Sequence, residues 1–586
     1  MTALDYVVLA AYLTGTLSVG LYFARRNKTT TDMFTAGGGS PWWVTGLSSF
    51  MTMFSAGTFV IWGSIAYTHG IVAVAINMTY GIAALAAGFL VAGKWNALGV
   101  RTPAEYVELR FGRSALQLYT WTLIVFRIVT TAVALYALAV IVAAIMPLAE
   151  SSPFRDATTG NISIVALIIV FGLVAVFYTL VGGLWAVLMT DVLQFIILNL
   201  SVLFIIVLTF LKIDDFGGLL ASAPDGFFDL VSGGYTYFFL VGWCLSQFFM
   251  IGAEWAFVQR SLSVSSPVDA RKANYLFGAL YLVSPVLWLA PPLMFRLTHP
   301  GVDPEQAYIL AGQWVLPAGA VGLMVAAMFS ATASMISSQL NVFASVLTND
   351  VYREFFNPSA KERTLVVAGR TFTGLLGLIL VVLAIAVPQL GGAERVIISL
   401  SSLVAGPLMA PSIWGLLGRR IDGRAVWATA LICLGLGVVV KFGLGYLNAV
   451  TGFLWLDDVH SWVSNNPQTA DMLLGVVLPI IILSTAHSVS AGVAPGWERI
   501  GSCAESVLPT RQKSLKPIDT TPALVVAIAL LICGSTLLLL IPFNQSAALP
   551  LGILGAIVIG IGFTTHFFIR RSAGEFHSRL SGQRNL

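Results

Sequence analysis

Charge is scarce in this sequence: of 586 residues only 10% are Asp, Glu, Lys or Arg, while 57% are hydrophobic. Soluble domains carry about 25% charged residues, so this chain has too little polar surface to cover a soluble core of its length. Cysteine is rare too. Cys244, Cys433, Cys503 and Cys533 show no CxxC spacing, which excludes a disulfide framework and a cysteine metal site. The six histidines (His69, His299, His460, His487, His566, His577) are scattered with no HExxH pattern, so an intramembrane metalloenzyme has no constellation to work with. A net charge of +4 is too small to recruit nucleic acid.

What the chain has instead is long apolar runs. A helix needs roughly 20 apolar residues to cross a bilayer, and about fifteen runs of that kind extend from 4–24 to 548–570. Asp5 and the absence of a leading basic residue argue that the first run is an anchor rather than a cleaved signal, with its N-terminus outside. The distribution of basic residues tests this count. Only Arg155, Lys212, Arg296 and Arg395 fall in outer loops and Arg127 and Lys441 within spans; the rest of the 31, including Arg260, fall in inner loops. Fifteen spans put the C-terminal tail inside, and an inner (plasma) membrane is the expected location.

Ionisable groups within the hydrocarbon are costly and usually functional. Asp191 lies early in the sixth run, Arg127 within the fourth and Glu254 near the inner end of the seventh. The ninth run adds Ser330, Ser334, Ser337, Ser338, Asn341 and Ser345 at helical spacing. One carboxylate facing several hydroxyls suits a monovalent cation that must shed its water; helix–helix packing is the alternative for the serines alone. Two spans look breakable: the second at Ser55-Ala56-Gly57, and the seventh where Gly242 and Gly252 bracket WCLSQFFMI. Interrupted spans at corresponding positions in two halves mark transporter sites. A pocket at the breaks would use Thr52, Ser55, Thr58 and Trp62, with Asn77 and Tyr80 on the third span and Trp243 and Gln247 on the seventh. Arg127 offers bidentate pairing to a carboxylate, which points to a small organic anion; its alternative is a structural pair with Asp191, Glu254 or backbone carbonyls.

Three segments resemble the sodium:solute symporter family, the relatives of sodium/glucose cotransporters and proline permease. Tyr178–Gln194 is similar to the family's Y-T-x-x-G-G-L-x-A-V-x-x-T-D-x-x-Q signature at every fixed position. Gln259–Ala273 resembles its Q-R-x-L…D-A-R-x-A stretch, and Ala326–Tyr352 its ninth-span pattern ending in D-x-Y. The resemblance implies an all-α polytopic membrane protein with a five-plus-five inverted-repeat, leucine-transporter-like core. Residues 1–35 would form an extra N-terminal helix, 40–212 and 234–418 the two repeats, and 419–586 accessory helices with a basic tail. It implies a secondary active transporter working by alternating access, with Na⁺ as coupling ion, no other cofactor, a small solute as partner, and a monomer capable of transport. The alternatives are proton-coupled or ion-independent transport on the same fold, or a membrane sensor. Carried over residue by residue, the shared sodium site falls on the carbonyls of Met51, Phe54 and Ala331, with Ser334 and Met335. A thioether is a poor Na⁺ ligand, so Met335 is a departure. A second site falls on Asp191, Ser334, Ser337 and Ser338.

Overall fold

The computed structural model describes residues 2–24, 40–390, 393–451, 453–502 and scattered positions between 524 and 567. Among them, eight helices are long and apolar enough to cross a bilayer, or up to ten if each of two bent pairs is one span. Four shorter apolar helices add to these, at 3–15, 164–177, 404–417 and 551–564. Half of the apolar run at 522–541 lies outside the described residues.

The bent pairs organise the molecule. Helix α1 (Ala3–Ala24) precedes α2 (Trp42–Met53), which stops at Phe54 in extended conformation (φ −96°, ψ 135°). The chain resumes through a π turn at Thr58–Trp62 into α3 (Gly63–His69), bent 64° from α2. Helix α4 (Val72–Ala87) follows, then α5 (Pro103–Phe111), α6 (Arg113–Ala144) and α7 (Ile164–Lys212). The second break separates α8 (Tyr237–Ala253) from α9 (Trp255–Ser263) with a 50° bend at Glu254. Helices α10 (Pro267–Thr298), α11 (Ala307–Val315), α12 (Ala320–Val346), α13 (Glu362–Ala386), α14 (Ala393–Leu417) and α15 (Gly423–Val438) complete the bundle, with α16 (Leu454–Asn465) outside it.

The first break falls where the Ser-Ala-Gly cluster places it. The second does not fall at both bracketing glycines. Helix α8 runs through Gly242, whose missing side chain makes room for Met472. The interruption comes only after Gly252, where the Glu254 carboxylate caps α9 by accepting from the Ala256 N–H at 3.1 Å.

Helical hydrogen bonding is continuous through Gly182 and Gly183. Yet α7 cannot be straight. Phe171 packs against Phe329 of α12 with ring centroids 5.4 Å apart, while Asp191 meets Ser334, five residues further along α12. A straight helix would separate Phe171 and Asp191 by about 30 Å, against about 8 Å between their partners. The chain therefore doubles back between them, and its second limb descends α12 in antiparallel register, with Ser201 bonded to the Leu323 carbonyl at 3.4 Å.

Later helices pack on the bundle rather than forming a separate body. Gly406 of α14 lies so close to the Gly475 carbonyl that a Cβ there would sit 1.5 Å from the oxygen. Lys441, which could have snorkelled outward, instead pairs with Asp471 at 2.7 Å.

Candidate functional site

A cavity of about 100 Å³ lies beside the first break and against α8, about a turn before the second. Seven of the nine residues expected in the pocket line it: Ser55, Thr58, Trp62, Tyr80, Arg127, Trp243 and Gln247. Thr52 and Asn77 do not. Their side chains bond back to carbonyls of their own helices, Ser48 and Ala73, each at 2.8 Å. The aromatic wall is built by Trp62, Tyr80 and Trp243, whose rings contact one another at 6.0–6.3 Å. Met53, Met250 and Met335 also line the cavity, so Met335 faces this space with a thioether where relatives are expected to have a hydroxyl.

Arg127 is 6% exposed and its Nε lies 3.2 Å from Glu254 Oε1. The N–H is not aligned on that oxygen, so the contact is an ion pair rather than a hydrogen bond. The other Glu254 oxygen is the one that caps α9. Among the described residues the only recorded hydrogen bond of the guanidinium itself is a long one, from Nη2 to the Met250 sulfur at 3.8 Å. The group thus has a neutralising partner and still lines the cavity.

The residues expected to bind an ion gather beside the first break. Asp191 is fully buried, and its Oδ1 accepts from Ser334 at 2.6 Å. Its Oδ2 accepts from Ser48 of α2 and faces Arg260 Nη2 at 3.4 Å. Ser337 bonds the Ser334 carbonyl at 3.0 Å, and Ser338 accepts from Arg260 Nη2 at 2.6 Å. The Met51 carbonyl accepts from the Phe54 N–H at 3.1 Å, and Phe54 packs against Trp288. Ala331 is buried in the same stretch of α12. Thr332, a residue absent from the expected set, ties α12 to the break by accepting from the Ala56 N–H at 2.9 Å.

Arg260 is the main correction. Counted as an inner-loop charge, it is 1% exposed within α9, with Nε on Ser48 at 2.9 Å and Nη1 on the Ala256 carbonyl at 3.0 Å. Its place after a Gln and before Ser-Leu-Ser reads as a span end. The signal that could have found it is the apolar WAFV stretch just before it, which continues the span. Its consequence is electrostatic: the Asp191 carboxylate already has a fixed positive partner.

Two helices bent in mid-span, around a largely apolar cavity with a few polar side chains and beside a buried carboxylate–serine cluster, define a secondary active transporter of the broken-helix class. The family is narrower than that class. The chain belongs to the sodium:solute symporter family, whose model matches residues 33–432. It is 27% identical over 448 residues to the sodium/sialic acid symporter NanT of Aliivibrio fischeri, covering 72% of this chain and 84% of that one. It is 25% identical over 489 residues to the sodium/glucose cotransporter of Vibrio parahaemolyticus, covering 75% and 86%. A solved structure of a Na⁺-coupled sialic acid symporter, substrate-bound and outward-open, superposes with a TM-score of 0.63 at 21% identity over 82% of this chain and 98% of that one. The chain is thus a multi-pass membrane protein of a family of sodium-coupled transporters, which are not enzymes.

Proposed function

We propose that this protein couples Na⁺ entry to the uptake of a small organic anion, a monocarboxylate or an acidic sugar, by alternating access around the cavity beside the first break. The observation that carries the reading is Arg127, a guanidinium on the cavity wall whose Nη edge has, among the described residues, no hydrogen bond but one long contact to a thioether. A carboxylate can take that edge in two parallel bonds, while Ser55, Thr58 and Gln247 supply hydrogen bonds to the rest of the solute. A sodium/sialic acid symporter among the relatives carries an acidic sugar by its name. The Arg127–Glu254 pair favours a second reading, a neutral solute with Arg127 as a structural counter-ion.

Sodium is placed at the junction of the first break and α12, with Asp191 Oδ1, Ser334 and Ser337 as the oxygen-bearing groups and Arg260 holding the far carboxylate oxygen. Fifteen spans, an outside N-terminus, an inside C-terminus, an inner-membrane location and a transport-competent monomer complete the proposal.

Uptake into proteoliposomes under an inward Na⁺ gradient tests it, with radiolabelled acidic and neutral sugars and monocarboxylates as probes. Anion uptake should require Na⁺ and fall at least about tenfold in Arg127→Gln, the loss of one charge-assisted bidentate contact. Normal anion uptake by that variant ends the anion reading, and uptake of neutral sugars alone favours the second.

A further inference from the structure

Helix α12 carries the serines of the sodium site, yet its own first turn has no capping side chain. Its N-cap is Gly319, in the left-handed region at φ +87°. Helix N-termini leave N–H groups without intrahelical partners. Here the cap comes from elsewhere in the chain. Asp5, 1% exposed on α1, accepts from both the Gly319 and the Gly322 N–H through Oδ1, each at 2.9 Å. Its Oδ2 accepts from the Thr2 N–H at 2.6 Å and the Thr2 hydroxyl at 2.8 Å. One carboxylate thus sits at the N-termini of two helices, where both macrodipoles favour negative charge.

The approach is close: a Cβ on Gly322 would lie 2.2 Å from the Asp5 carbonyl oxygen. A second tie lies further along, where the Tyr12 and Ser330 hydroxyls bond and the Tyr12 ring meets Phe329 edge-on at 6.3 Å. Asp5 to Tyr12 spans seven residues and Gly322 to Ser330 eight, so the two helices run parallel and in step. Helix α1 also packs against the second limb of α7, with Leu4 beside Phe204 and Ala320. It therefore lies across the two helices that bring Asp191 and Ser334 together.

We propose that Asp5 is a positioning residue for sodium binding: by capping α12 from another helix, it sets the axial register in which α12 presents Ser334 and Ser337 to Asp191. Ser334 is twelve residues beyond Gly322, about 18 Å along a continuous helix. A helix packed on several sides transmits a slide at its start to that distance, because its interfaces are not continuously deformable. The inference rests on the sodium reading above.

The test is binding of ²²Na⁺ to the purified full-length protein, which needs no solute. Asp5→Ala should raise the half-saturating Na⁺ concentration by about fivefold or more at unchanged maximal binding. Asp5→Asn, which keeps an acceptor without the charge, should raise it by less. Tyr12→Phe should shift it in the same direction with the cap intact. Hydrogen exchange at Gly319 and Gly322 reports the cap directly and should quicken in the Asp5 variants alone. Unaltered half-saturation in a folded Asp5→Ala overturns the proposal. If that variant does not fold, unaltered half-saturation in both Asp5→Asn and Tyr12→Phe overturns it. A wild-type protein that binds no ²²Na⁺ refutes the sodium reading instead.

Discussion

Replacing Asp191 by alanine leaves Arg260 buried without its counter-charge, and the cost can be worked from the geometry. Two unit charges 3.4 Å apart attract by about 5 kcal/mol at an effective dielectric near 20. Removing one member of a buried pair costs about 3–5 kcal/mol, because the other charge stays desolvated, whereas replacing both is often close to neutral. Asp191→Ala and Arg260→Gln should therefore each cost about 3–5 kcal/mol, and the double variant no more than either single change. Denaturant unfolding followed by circular dichroism, with all four proteins in one detergent, measures the cycle. Additive losses would refute the coupling, and with it the idea that Arg260 is the fixed partner of the sodium-site carboxylate. The same proteins separate stability from binding: Arg260→Gln removes a positive charge beside Asp191 and should tighten ²²Na⁺ binding even as it loosens the fold.

Three further outcomes are expected. Met335→Ser restores a hydroxyl next to Ser334 and should raise ²²Na⁺ affinity about tenfold, the worth of one hydrogen-bonding ligand to a charge; unchanged affinity removes the shared site from the mechanism. In the loop before α7, the Asp156 carboxylate accepts from Thr158 N–H and hydroxyl and from Thr159 N–H, which hold it below the usual carboxylate range. A depressed folded value means the turn is fully stabilised above the unfolded value of about 3.9. That stabilisation is lost as pH falls through the lower folded value, so exchange protection at the Thr158 and Thr159 amides should drop only in acid, and Asp156→Asn should abolish the pH dependence. Gly406→Ala forces a Cβ against the Gly475 backbone, which has no side chain to yield. The loss should be at least about 2 kcal/mol in the same unfolding assay, and wild-type stability would show that the two helices part freely.

The class of protein was legible because a scarcity of charge is a global property that no local packing choice can disguise. The first break was legible for a local reason: Ser-Ala-Gly interrupts an otherwise bulky apolar run. The second was only half legible, since a glycine that admits Met472 and a glycine beside a break look identical without the neighbour. Arg260 was misplaced because a span end and a buried turn after a broken helix share the same polar residues, and only the fold says which side of the membrane interior they reach. Asp191 and Ser334 were found from their chemistry and do meet. Asp5 was visible only as an acidic residue arguing against a signal peptide, because the two amides it caps on α12, those of Gly319 and Gly322, lie more than 300 residues away in the chain.

Glu254 holds two offices at once. One of its oxygens fastens the start of α9 and the other faces Arg127, so the joint between the halves of the broken span is also the ballast for the cavity's charge. No solute can draw Arg127 away without loosening that joint, and no swing of the joint can leave the cavity's potential as it was. On the proposed reading, cargo recognition and the movement that carries it share a single carboxylate.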